Sequence, residues 1–152
     1  MIILVINCGS SSIKYQLLDM KNDDVYSLLA KGIVEKIGLE CGRLQHTPAG
    51  KEKVVKDLPV PDHTVGMQIV LDALIDKDHG VLKSFDDIEA VGHRIVQGAD
   101  FFSGSAIVDE DVIKKIDFCC DFAPLHNPAH LLGIRACQEV LPSVPQVVTF
   151  DT

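Results

Sequence analysis

The chain has 152 residues, 47% of them hydrophobic, with a mean hydropathy of +0.20 and a formal net charge of −8. That length and apolar content suit about one packed domain and exclude a disordered chain. The acidity speaks against nucleic acid bound on a basic face, but not against a phosphorylated small molecule, because a few local cations and a metal set the field inside a cleft.

Met1–Ile6 lacks a basic leader and is shorter than a signal core, so it is not read as a targeting segment. No apolar run approaches the roughly 20 residues that cross a bilayer, and no membrane partner is expected. The five cysteines, Cys8, Cys41, Cys119, Cys120 and Cys137, are odd in number and lack C-x-x-C spacing. They read as free thiols of a reducing cytoplasm, with packing roles, rather than as a disulfide framework or a zinc site.

Ile2–Ile6 is a continuous aliphatic run and predicts a strand buried on both faces. Ile13–Leu18 predicts its return strand, with Ile13, Tyr15 and Leu17 on one face. Asn7, Cys8, Gly9, Ser10, Ser11 and Ser12 form the polar tip between them. Two readings of this tip are open. In one it cradles phosphate: Gly9 has no Cβ to block approach, successive backbone N–H groups make an anion-binding concavity, and Lys14 adds positive charge. In the other, the serines of a plain hairpin bond their own backbone. The tip matches neither the Walker pattern nor the dinucleotide fingerprint, and it leads into a strand rather than a helix.

Val25–Ile37 predicts the next strand and Gly38–Gly42 a turn, followed by two short strands around the turn at Thr47–Glu52. Asp62 is placed to cap a helix running to about Asp78, with Val65, Ile69, Ala73 and Leu74 at helical spacing and Gly80 ending it. Ile88–Val96 predicts a strand carrying Arg94 near its C-terminal end, where open α/β sheets hold their ligands. A buried guanidinium there needs a partner, either a carboxylate or phosphate ligand or an internal ion pair. His93 reads as a packed core histidine. Asp109 to about Phe122 predicts a helix with Val112, Ile113 and Ile116 as its apolar stripe. Asn127 followed by Pro128 opens another, to about Leu141, with Leu131, Leu132, Ile134 and Ala136 on its apolar face. His126 then stands just before an electropositive helix start, either touching a phosphoryl oxygen or bonded to loop backbone. Pro145–Phe150 is the last predicted strand, ahead of Asp151.

Taken together and in order, VINCGSSSIKYQL, VGHRIVQG, APLHNPAHLLGIRACQEVLP and VPQVVTFDT resemble the acetate kinases over essentially the whole chain. The resemblance implies an α/β fold, a ribonuclease-H-like domain of the actin and sugar-kinase superfamily with a mixed sheet flanked by helices. Residues 1–152 correspond to the N-terminal domain, with a second, C-terminal domain absent from this chain. It also implies transfer of the ATP γ-phosphoryl group to acetate with Mg²⁺, giving acetyl phosphate and ADP reversibly, in a cytoplasmic homodimer formed through the absent domain. By motif, Asn7 serves the metal site, and Gly9, Ser10, Ser11, Ser12 and Lys14 the nucleotide phosphates. Arg94 holds the carboxylate or phosphoryl group, Val96 and Leu125 border the methyl pocket, His126 stabilises the transferring phosphoryl, and Asp151 is the active-site carboxylate. Where the family usually reads H-G-G-E, this chain has Gln97, Gly98, Ala99 and Asp100, a neutral amide in place of an imidazole.

Acetate and ATP are both anions, so the approach of one to the other must be screened by cations. A carboxylate nucleophile is already ionised at neutral pH and needs no general base, so Asp151 reads as a metal or phosphoryl positioner. Propionate kinase is the nearest alternative, since one methylene is worth only ~1–3 kcal/mol. A non-catalytic actin-like domain that binds phosphate weakly, or a partner through its open cleft face, is the alternative from another class. The 152-residue chain alone is expected to be inactive.

Overall fold

The aliphatic run at the start forms strand β1 (Ile2–Gly9), which turns back at once into β2 (Ser12–Met20). In the computed structural model, residues 1–22, 25–95, 105–118 and 127–150 are described. β3 (Tyr26–Glu35), β4 (Gly42–Pro48) and β5 (Val54–Leu58) extend the hairpin into an antiparallel meander. The chain then crosses through helix α1 (His63–Leu74) and a short 3-10 turn at Phe85–Asp87 to β6 (Ala90–Ile95), which lies parallel to β1. β7 (Ser105–Ile107), helix α2 (Glu110–Phe118), helix α3 (Asn127–Val140) and β8 (Gln146–Phe150) follow. Among the described residues the strands make one mixed eight-stranded sheet, in the order β5-β4-β3-β2-β1-β6-β8-β7.

The described helices share one face of that sheet. α1 packs on β2 and β3, and α3 on β1 and β6. α2 reaches the same side through Val112, Ile113 and Ile116, which cluster with Ile134 of α3 and Val148 of β8. The main core lies between Leu4, Ile6, Ile13, Tyr15 and Leu17 of the sheet and Met67, Val70, Leu71 and Leu74 of α1. β1 is therefore not buried on both faces as its unbroken aliphatic run suggested. Leu4, Ile6 and Cys8 are buried, while Ile3, Val5 and Asn7 are half-buried on a face that no described helix covers.

Three further expectations need correction. α1 begins where predicted, with Asp62 accepting from the Val65 N–H at 2.8 Å, but ends at Leu74. The chain leaves the helix because Asp76 Oδ1 captures the N–H groups of Asp78 and His79 at 2.8 and 3.0 Å, a local alternative to helical bonding. Its buried stripe runs through His63, Gly66, Met67, Val70, Leu71, Ala73 and Leu74, so Ala73 and Leu74 are buried as expected while Val65 and Ile69 are only half-buried. On α3, Ile134 and Ala136 are buried as expected, but Leu132 is 50% exposed and Cys137 occupies the inward face. The short strand β7 was not predicted at all. Among the described residues, no helix is long and apolar enough to cross a membrane.

Candidate functional site

The β1–β2 ladder closes at the Gly9–Ser12 pair, so the turn consists of Ser10 and Ser11 alone. That is tighter than the polar tip read from the sequence: Asn7, Cys8, Gly9 and Ser12 are strand residues. Pleating then assigns their sides. Cys8 points to the core, where burial pushes its thiol up to about 12. Asn7 and Lys14 are directly paired on the opposite, outer face. A Cβ at Gly9 would meet Ser12 Oγ at 2.9 Å, so a larger residue there would have to turn the Ser12 hydroxyl aside.

β6 adds the next group. Its parallel register sets Ile6 beside His93, so Arg94, one residue on, stands next to Asn7. Lys14, Asn7 and Arg94 thus form one row across β2, β1 and β6. All three border a cavity of about 480 Å³ over the outer face and a second of about 370 Å³ at the sheet's end, where Gly9, Ser12 and His130 join them. Lys31 and Lys53 extend the larger cavity's cationic wall, and no carboxylate is among its described lining residues. Lys53 Nζ is tied to Gln45 Oε1 at 3.2 Å, and Gln45 Nε2 in turn to Glu35 at 2.7 Å. A protein of net charge −8 has here a pocket of the opposite sign.

Arg94 is exposed rather than buried, because it lies on the uncovered face. Its neighbour His93 faces the other way into the core and donates Nε2–H to Gln146 Oε1 at 2.6 Å. Burial lowers its pKa to about 4, which leaves it neutral and bears out the core reading. Ser10 and Ser11 are exposed at the tip and border neither cavity. Val96, Leu125, His126 and Asp151, with Gln97–Asp100, Cys119 and Cys120, lie outside the described residues.

The sequence reading missed two histidines of the site. His130 of α3 is buried and lines the smaller cavity. His63, the first residue of α1, reaches the hairpin and donates Nε2–H to the Gly9 carbonyl at 2.9 Å. Placing α1 in its true phase from the Asp62 cap would have turned His63 inward. Asp76, Asp78 and His79 bring potential ligand atoms within 4.8 Å of one another after α1, but none of them borders either of these cavities.

The acetokinase family pattern matches residues 2–152. The chain belongs to the acetokinase family. The acetate kinase of Caldanaerobacter subterraneus subsp. tengcongensis is 52% identical over 150 residues, which cover 99% of this chain and 37% of the relative. That of Treponema denticola is 53% identical over the same shares. Among solved structures, Porphyromonas gingivalis acetate kinase superimposes with a TM-score of 0.95 at 45% identity, covering 99% of this chain and 37% of that one. A propionate kinase from Francisella tularensis superimposes with a TM-score of 0.85 at 37% identity, covering 99% and 36%. This acetokinase chain thus spans about 37% of the length of the curated relatives it matches. The resemblance read from its motifs and the α/β mixed-sheet fold are both borne out.

Proposed function

We propose that, in a protein of its relatives' full length, this acetokinase chain forms the N-terminal wall of a cleft in which the γ-phosphoryl group of ATP passes to acetate. One observation carries the reading: Lys14, Asn7 and Arg94 stand in a single row beside the Gly9–Ser12 closure, in a cavity with no described carboxylate. Two anions must meet there, and screening of their charge is what such a wall supplies. Arg94 offers a planar fork to a carboxylate or phosphoryl group, and Lys14 a point charge to the nucleotide phosphates. Ser10, Ser11 and Ser12 add hydroxyl and backbone donors at the tip. His126, Val96, Leu125 and Asp151 complete the proposal as phosphoryl stabiliser, methyl-pocket borders and positioning carboxylate.

Magnesium fits this donor set in one respect. Asn7 offers Mg²⁺ one oxygen ligand at the smaller cavity, and phosphate oxygens, waters and the proposed carboxylate of Asp151 would complete the ion's shell. Bound there, the ion would neutralise charge on the transferring group.

The free thiols of Cys8, Cys41 and Cys137 support a cytoplasmic setting, and a homodimer is proposed through parts of the protein outside this chain. The likeness to a propionate kinase favours a second reading in which propionate is the preferred acceptor. Trapping of acyl phosphate as hydroxamate tests both. A protein of the relatives' full length containing this chain is expected to form acetyl phosphate from ATP, Mg²⁺ and acetate, and the isolated chain at most about a few per cent of that, since a preorganised wall without its partner cannot enclose the reaction. No acyl phosphate from either acid overturns the proposal, and a higher kcat/KM for propionate selects the second reading.

A further inference from the structure

We infer that His63 is a positioning residue for the hairpin tip, acting through the Gly9–Ser10 peptide; the catalytic part of this inference rests on the proposed phosphotransfer. A carbonyl oxygen only accepts, so the 2.9 Å contact between His63 Nε2 and Gly9 O requires the proton on Nε2. The ring is well anchored: His63 is 6% exposed and is the first residue of a helix whose preceding residue, Asp62, caps it at 2.8 Å. Because a trans peptide is planar, its C=O and N–H point in opposite directions. Holding the Gly9 carbonyl toward α1 therefore turns the Ser10 N–H away from α1. A second brace acts on the next peptide but one, where the Ile37 N–H donates to Ser11 O at 3.0 Å. A turn held at the Gly9 and Ser11 carbonyls has its remaining donor directions set before any ligand arrives, which is what an anion site needs.

This assignment explains why a histidine occupies the start of α1. A polar side chain at a buried helix position is otherwise unfavourable, and the hydrogen bond to the hairpin gives it a partner. It also links the tip to α1, none of whose residues borders either of the cavities that Asn7 and Arg94 border.

The test compares His63→Gln, whose amide nitrogen reaches about as far as Nε2, with His63→Asn, whose amide falls short, and with His63→Ala. In ¹⁵N and ¹³C spectra of this chain, the Gly9 carbonyl and Ser10 amide resonances are expected to move in the Ala and Asn variants and to return in Gln. In the full-length protein, kcat/KM for ATP is expected to fall about 10- to 100-fold in Ala and Asn, with KM for acetate within about 2-fold, and Gln to recover most of it. Should Ala fail to fold, the Gln and Asn pair still decides. Equal behaviour of Gln and Asn, or unmoved Gly9 and Ser10 resonances, overturns the inference. If the spectra respond as expected while no variant or wild type makes acyl phosphate, His63 still positions the tip and the phosphotransfer reading is what fails.

Discussion

His93 and Gln146 are joined across β6 and β8 by a 2.6 Å hydrogen bond between Nε2 and Oε1, both residues buried on the face opposite Arg94. The strand that presents the cationic group is thus fastened from behind by a neutral imidazole. Burial, the larger cause, lowers the His93 pKa to about 4, against the partial opposition of the Gln146 bond. The unfolded chain, titrating near 6.5, binds more protons than the folded one between those values. Stability is therefore full above about pH 6.5 and falls as the pH drops toward 4, by about 3 kcal/mol for this group. His46, also lowered mainly by burial, acts in the same direction. Urea midpoints measured from pH 7.5 to 4 are expected to fall, and less steeply in His93→Gln. Asp57 and Asp76, whose carboxyls are held below their usual range by hydrogen bonds, act only below that window. A flat profile from pH 6.5 to 4.5 would contradict the neutral assignment.

Tyr15 and His46 form the second buried polar link. His46 Nε2 lies 3.1 Å from the His79 carbonyl, which can only accept, so Nδ1 is the acceptor for the Tyr15 hydroxyl at 2.6 Å. Tyr15→Phe leaves that buried nitrogen without its donor and is expected to destabilise by about 1–3 kcal/mol. Gly32 lies against the same ring. A Cβ there would overlap both the Tyr15 ring and the Gln45 backbone carbonyl, and the carbonyl belongs to a strand that cannot move aside. Gly32→Ala is expected to cost at least about 1–3 kcal/mol, read from the same denaturation curves. A change within about 0.5 kcal/mol in either variant would show that the site relaxes.

Much of this architecture was legible because local pattern and tertiary role agree. Alternation at Ile13, Tyr15 and Leu17 and the stripe Val112, Ile113 and Ile116 each predict the face that is buried, and the Asp62 cap predicts where α1 starts. What escaped depends on partners distant in sequence. β7 is three residues long and exists by pairing with β8, so no periodicity announces it. The open face of β1 follows from where α1, α2 and α3 pack, which an unbroken aliphatic run cannot report. The row of Lys14, Asn7 and Arg94 needs the antiparallel register of β1 with β2 and the parallel register of β1 with β6, a juxtaposition across most of the chain. The motif resemblance named those residues as parts of one site; that they stand in a single row follows only from the two registers.

Lys14 separates electrostatic attraction from geometry. It pairs with Asn7 on the outer face and borders both cavities. In the full-length protein Lys14→Ala is expected to raise KM for ATP by about 10- to 100-fold, in line with the loss of one charge-assisted hydrogen bond worth about 1.5–3 kcal/mol. Added salt is expected to narrow the gap between variant and wild type, since partly exposed charges are screened. Lys31→Ala, one strand further out, is expected to change KM by no more than about 2-fold. Equal effects at Lys14 and Lys31 would mean that the wall acts by diffuse field alone.

Arg94 tests whether the row does chemistry. It ends the described part of β6 but for Ile95, beside Asn7 and opposite in facing to His93, so its replacement leaves the His93–Gln146 bond and the core untouched. Arg94→Ala is therefore expected to leave the chain folded while lowering kcat for acyl-phosphate formation by about 10²- to 10³-fold, the range seen when one preorganised donor to developing charge is removed. Arg94→Lys keeps the charge but not the planar fork, and should recover only part of that loss, because a point charge cannot bind two oxygens of one group in parallel. Full recovery by lysine would assign Arg94 to screening rather than to bidentate contact. An unchanged kcat in Arg94→Ala would remove the row from the reaction altogether.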